Sequence, residues 1–155
     1  SYRQQLTNTR KEVAVDNRVN LALRTKIADT ESSKVQLERQ LEEVCAEVSK
    51  REEAIRRLES DLEEHRAPIA VNRECQSYRA QRPRSEAYSD PVALSLEYEA
   101  AVLQQTSMQI ERRLQRASRE LNHLCELKRR LQDEISTKGR MLEIDSRLLV
   151  LRQSS

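Results

Sequence analysis

The chain has 155 residues, 28 basic and 26 acidic side chains and a formal charge of +2, with 35% charged and 37% apolar residues. It contains no Trp, no Phe, one glycine and three prolines, too few bulky side chains to fill a compact core and too few turn formers to close one. The balanced charge offers no concentrated basic face for nucleic acid, and no apolar run approaches the roughly 20 residues that cross a bilayer.

The remaining residues, dominated by Leu, Glu, Arg, Gln, Lys and Ala, have the usage of long helices. In residues 1–80 the apolar positions alternate in steps of three and four. With Val13 at heptad position a, the a set is Val13, Asn20, Ile27, Lys34, Leu41, Val48, Ile55 and Leu62, and the d set is Asp16, Leu23, Thr30, Leu37, Val44, Arg51 and Leu58. A repeat averaging 3.5 residues is the signature of a left-handed supercoil with knobs-into-holes packing. This predicts one long helix over 1–80. Pro68 lies inside the pattern, because Ile69 falls on the next a position. It removes a ladder hydrogen bond and disfavours helix at Ala67, so a kink is expected there, followed by a few more turns.

Residues 81–91 carry the breakers. Arg82-Pro83 stops the first helix. Asp90-Pro91 restarts the second, since Asp accepts backbone N–H bonds as an N-cap and Pro suits the first helical position. Three of the four tyrosines (Tyr78, Tyr88 and Tyr98) cluster around this segment, which points to an ordered loop. Residues 92–155 then repeat the heptad device in a new frame. The a positions are Ala93, Ala100, Ser107, Leu114, Leu121, Lys128, Ile135, Leu142 and Leu149. The d positions are Leu96, Leu103, Ile110, Ala117, Leu124, Leu131, Lys138 and Asp145. Thirteen of these seventeen are apolar.

At about 1.5 Å per residue each helix is on the order of 90–100 Å long. A loop of about ten residues between them favours an antiparallel hairpin over a continuous parallel dimer. The fold class is therefore all-α, a long antiparallel coiled-coil hairpin within a rod-like filament. Facing residues are expected to have numbers adding to a near-constant value close to 165 or 172, as layer spacing requires. The pattern is still running at Ser155, which reads as a fragment of a longer protein. The odd, widely spaced cysteines (Cys45, Cys75, Cys125) are unlike a disulfide framework and suit a reducing, intracellular compartment.

Chemistry is sparse. One glycine forbids a phosphate loop, no C-x-x-C pair exists, and His65 stands ten residues from the nearest cysteine, Cys75, so no metal site is expected. A nucleophile needs an oriented base in a concave pocket, which a pair of helices does not offer; neither enzyme activity nor a cofactor is expected. Lys34, Arg51, Lys128, Lys138 and Asp145 sit at seam positions, where they either specify register and partner or snorkel out of leaky layers. Arg112, Arg116 and Arg119 share an outward face, a candidate contact for an acidic surface such as tubulin, or a solvated, salt-laced helix face.

The segment Arg82-Pro83-Arg84-Ser85-Glu86-Ala87-Tyr88-Ser89-Asp90 resembles the tektin nonapeptide R-P-N-V-E-L-C-R-D. It matches at Arg82, Pro83, Glu86 and Asp90, with Tyr88 in place of cysteine and Ser89 in place of arginine. Upstream, Ala67-Pro68-Ile69-Ala70-Val71 is similar to the family's A-P-L-K-V. Downstream, Leu131 to Ile135, Lys138 and Leu142-Glu143-Ile144-Asp145 resemble its K…L-x-I-D ending. The likeness covers nearly the whole chain and corresponds to the C-terminal half of a divergent tektin of sperm type. It implies a structural component of the cytoskeleton, a microtubule inner protein in the A-tubule lumen of axonemal doublet microtubules in cilia or the sperm flagellum. Its implied partners are other tektins or copies of itself, end to end and laterally, and tubulin, with no nucleic acid and no membrane. The implied filament-contact loop is Arg82, Pro83, Glu86, Tyr88 and Asp90. Composition and periodicity alone also accommodate a coiled-coil adaptor or tether of the centrosome or cytoskeleton.

Overall fold

The computed structural model describes residues 1–81 and 90–154. These form two helices, α1 (Tyr2–Ala80) and α2 (Pro91–Gln153), and no strand. Ser1 starts α1 by accepting a hydrogen bond from the Gln4 backbone N–H at 3.4 Å. Asp90 starts α2: its Oδ1 accepts from Val92 N–H at 3.0 Å and its carbonyl from Leu94 N–H at 3.3 Å. The carboxylate thus serves donors that would otherwise be orphaned at the first turn, and Pro91, which lacks an N–H, sits where none is needed. Pro68 lies inside α1 without ending it. It leaves the Glu64 carbonyl without an intrahelical donor, but both residues are exposed, so water can take that place.

The chain divides into two compact units. One comprises Ser1–Cys45 with Glu126–Ser155, the other Ala46–Cys125. In each, a stretch of α1 packs against a stretch of α2 running the opposite way, an antiparallel helical hairpin.

In the first unit the α1 seam positions from Asn20 to Val44 are buried or half-buried, as are those of α2 from Lys128 to Leu149. Its most covered apolar residues are Val44 and Leu131. Thr30 also sits deep in the seam; its hydroxyl donates to the Lys26 carbonyl at 2.8 Å, which satisfies the group within its own helix and makes its burial tolerable. Cross-helix ties join Lys26 to Asp145, and Arg152 to both Asp16 and Asn20. Their residue numbers add to 171, 168 and 172 respectively, on average nearer the 172 register than the 165 one.

In the second unit Val48, Ile110 and Ala117 form the apolar centre. The heptad pattern of α1 continues past Leu62 through His65, Ile69, Asn72, Gln76 and Arg79, all at least half-buried. No large side chain is fully buried among the described residues. Two helices cover only one stripe of each other, and the flanks of every layer stay open to water.

One seam expectation fails. Val13 is 53% exposed and Asp16 is exposed as well. Arg152, in the last turn of α2, already meets Asp16 and Asn20, so earlier α1 heptads have no facing turn. Tyr2 and Leu6, on the same stripe, are exposed for the same reason.

Candidate functional site

The polar residues of the seam are the first candidates, because burying a charge between helices is costly unless it meets a partner. In the first unit Asp145 is 6% exposed. Its Oδ1 accepts from the Lys26 ammonium at 3.4 Å, and Oδ2 lies 3.2 Å from the same ammonium but takes no well-directed hydrogen bond. Lys26 stands beside the seam with its stem along it and half of its side chain in water. Arg152 donates to Asn20 Oδ1 at 2.9 Å and to Asp16 Oδ1 at 3.1 Å. Lys34 turns toward Glu38, one turn along its own helix, at 3.9 Å. Lys128 and Lys138 are half-buried and form no ion pair among the described residues.

These ties select a register. If α2 slipped by one heptad so that Lys138 replaced Asp145 beside Lys26, two cations would meet. The same step would bring Asp145 to the level of Asp16, two anions. Like charges at close range oppose pairing by about as much as opposite charges favour it. Seam charge therefore acts here as a specifier of alignment more than as a source of stability.

In the second unit Arg51 donates to Glu120 across the helix pair. A one-heptad slip in the same sense would give Arg51 a second arginine, Arg113, as its neighbour. Nearer the end of α1 the layers become polar. Asn72, 3% exposed, donates from Nδ2 to the Leu96 carbonyl at 3.0 Å; Gln76 donates to Asn72 Oδ1 at 2.7 Å and to the same carbonyl at 3.3 Å. Arg79 forms an ion pair with Asp90, so the carboxylate that caps α2 is also held by α1. Asn72, Gln76 and Arg79 were not singled out in the sequence; their positions d, a and d in the continuing heptad were the available signal.

The residues predicted for contacts fall into three groups. Arg82, Pro83, Glu86 and Tyr88, and the ordered loop expected around them, lie outside the described residues. Asp90 is half-buried and engaged within its own chain. Arg112, Arg116 and Arg119 are exposed along one side of α2 and take no ion pair among the described residues. Some other surface charges pair along their own helix, as Arg56 with Glu53 at 2.8 Å and Arg129 with Glu126 at 2.6 Å. The hydrogen bond from Arg56 holds the Glu53 carboxyl below the ordinary carboxylate range, and that from Arg129 does the same for Glu126.

Nothing in this geometry assembles chemistry. His65 donates from Nδ1 to the Asp61 carbonyl at 2.8 Å, and no three His, Cys, Asp or Glu side chains converge among the described residues. Cys45, Cys75 and Cys125 are free thiols. In the second unit Ala100 and Ser107, small residues at a positions, leave a groove of about 510 Å³ beside Ile69, Asn72 and Gln76. It contains no nucleophile paired with a base. No helix among the described residues is long and apolar enough to cross a membrane.

Comparison with known proteins bears on what such a hairpin serves. The sequence profile of the tektin family matches residues 2–155. A protein of Chlamydomonas reinhardtii named "Tektin" is 31% identical over 131 residues, which cover 84% of this chain and 27% of that protein. The chain thus spans about a quarter of the length of the relative it matches.

Proposed function

The chain belongs to the tektin family, and from that premise we propose that it is a structural filament element of cilia and flagella, with no catalytic role. The observation that carries the reading is the family match across both helices together with the paired heptad seam. A helix pair held in one register by charge is suited to setting distances along a filament, and no pocket among the described residues brings catalytic groups together. In the finer form of the proposal, the segment belongs to the C-terminal half of a divergent, sperm-type member. There it lies inside the A-tubule of axonemal doublets as a microtubule inner protein, with other tektins, its own copies and tubulin as neighbours. Arg112, Arg116 and Arg119 face an acidic neighbour, and Arg82, Pro83, Glu86, Tyr88 and Asp90 form the contact between successive subunits.

The test is immunolocalisation of the full-length protein combined with detergent and high-salt extraction of isolated axonemes. A filament element stays with the axonemal residue after both washes. Release by salt with a centrosomal or diffuse cytoskeletal signal would overturn the reading in favour of a coiled-coil adaptor.

A further inference from the structure

Three weak points of the second unit fall at one level. Pro68 interrupts the backbone ladder of α1 and leaves the Glu64 carbonyl without a donor from its own helix. In the register set by Asn72 with Leu96 and by Arg51 with Glu120, the facing turn of α2 spans residues 100–104. There the small side chains of Ala100 and Ser107 leave unfilled the groove that Arg66 and Ile69 line from α1. The Ser107 hydroxyl is buried and takes no hydrogen bond among the described residues. Closure at this level therefore withholds water from a polar group and offers it no partner in exchange. A helix pair yields most readily where packing is thin and the ladder is broken, and proline is a usual place for a helix to bend.

Beyond this level the seam changes character. Ile69 is the last apolar seam residue of α1; Asn72, Gln76 and Arg79 follow at positions d, a and d, against half-buried Ala93 and Leu96 of α2. What holds them together is polar. Both amides donate to the Leu96 carbonyl, Gln76 also donates to Asn72, and Arg79 pairs with Asp90. Parting the helices here uncovers little apolar surface, and water can replace the hydrogen bonds. On the other side of the weak level, Val48, Ile110 and Ala117 close the seam by apolar burial. We infer that the end of the helix pair beyond Ile69 is a hinged segment, latched by the Asn72–Gln76 clamp and the Arg79–Asp90 pair, that opens as one body about the level of Pro68 and Ser107. Residues 72–80 and 90–96 part together, while Arg51 and Glu120 keep the register of the seam they leave behind. Opening brings water to the Ser107 hydroxyl, which the closed form leaves without a partner.

The latch goes beyond the filament reading and does not depend on it. Amide hydrogen exchange of the full chain under native conditions, read residue by residue, tests it. Amides of residues 74–80 and 95–100 should exchange through one common opening, roughly tenfold or more faster than those around Val48 and Ile110. Asn72→Ala should speed exchange roughly fivefold in both segments and leave the amides around Val48 and Ile110 unchanged. Gln76→Leu, which trades an amide for apolar burial against Leu96, should slow exchange in both segments. Pro68→Ala combined with Ser107→Val restores the ladder bond and fills the layer, and should bring both segments toward the rate of the apolar seam. If Asn72→Ala altered α1 alone, the two helix ends would be fraying separately and the hinged body would be wrong. Exchange of both segments only together with the whole seam would overturn the latch as well. Unchanged rates in the Pro68→Ala, Ser107→Val chain would rule out a hinge at that level.

Discussion

Replacing Asp145 with Leu separates what seam charge contributes to stability from what it contributes to alignment. Asp145 is nearly enclosed at a d position, while its partner Lys26 keeps 55% of its side chain in water. A pair with one partner so solvated is screened and contributes about 1 kcal/mol or less. A leucine buried at the same level contributes about 1.5–3 kcal/mol, and no orphaned charge is left, since the Lys26 ammonium turns fully to solvent. Asp145→Leu is therefore expected to stabilise the chain by about 1–2 kcal/mol, a rise of roughly 2–8 °C in Tm for a protein of this size. The reciprocal change, Lys26→Met, should do the opposite. It strands a buried carboxylate and costs about 1–3 kcal/mol. Thermal melts followed by circular dichroism at 222 nm measure both. The alignment cost appears in a spin-label distance measurement between α1 and α2 within the first unit, where Asp145→Leu should broaden the distribution by admitting the one-heptad slip. If Asp145→Leu destabilised the chain while Lys26→Met was neutral, the assignment of this pair as a register device would be wrong.

Three further outcomes follow from the same geometry. A Cβ added at Gly139 would meet only Lys34 Nζ, at an ordinary 3.9 Å, so Gly139→Ala should stabilise α2 by roughly 0.5–1 kcal/mol, read as a higher urea midpoint with an unchanged slope. Reversing one partner alone, Arg51→Glu or Glu120→Arg, should lower Tm; the double reversal should recover most of the loss, because the two side chains pair with each other across the seam. The lowered pKa of Glu53 comes chiefly from its hydrogen bond with Arg56, so Arg56→Ala should raise it in an NMR titration. The stability that this hydrogen bond contributes is present above the ordinary carboxylate pKa and is lost as pH falls through the lowered one.

The seam was legible because burial follows period. Leu37, Leu41, Val44 and Val48 are apolar at the required spacing, and all are covered where an antiparallel turn faces them. Pairing was not legible. Lys26, Glu120 and Arg152 became partners only once the register placed them opposite Asp145, Arg51 and Asp16, and one chain's periodicity fits two registers equally well. Val13 fulfilled the pattern and still lies exposed, since a heptad position predicts burial only where another helix is present. The Asn72, Gln76 and Arg79 clamp was hidden for a different reason: a search for apolar seam residues passes over amides, although their spacing continued the heptad. Asp90 was recognised as a cap from its neighbour Pro91, and the ion pair with Arg79 required the fold. The exposed arginines of α2 were visible in the sequence as a stripe. That they take no ion pair among the described residues emerged only from the positions of the neighbouring acids.

Lysine cross-linking mass spectrometry on salt-washed axonemes tests together the antiparallel pairing of the helices and the proposed place of the chain in a ciliary filament. Lys34 and Lys138 occupy facing levels of the first unit, with the Lys34 ammonium beside Gly139. The expected result is recovery of the protein in the washed axonemes and an abundant Lys34–Lys138 link within one chain. A protein lost in the wash, or one retained there whose Lys34 links to Lys34 of another copy and not to Lys138, would contradict it.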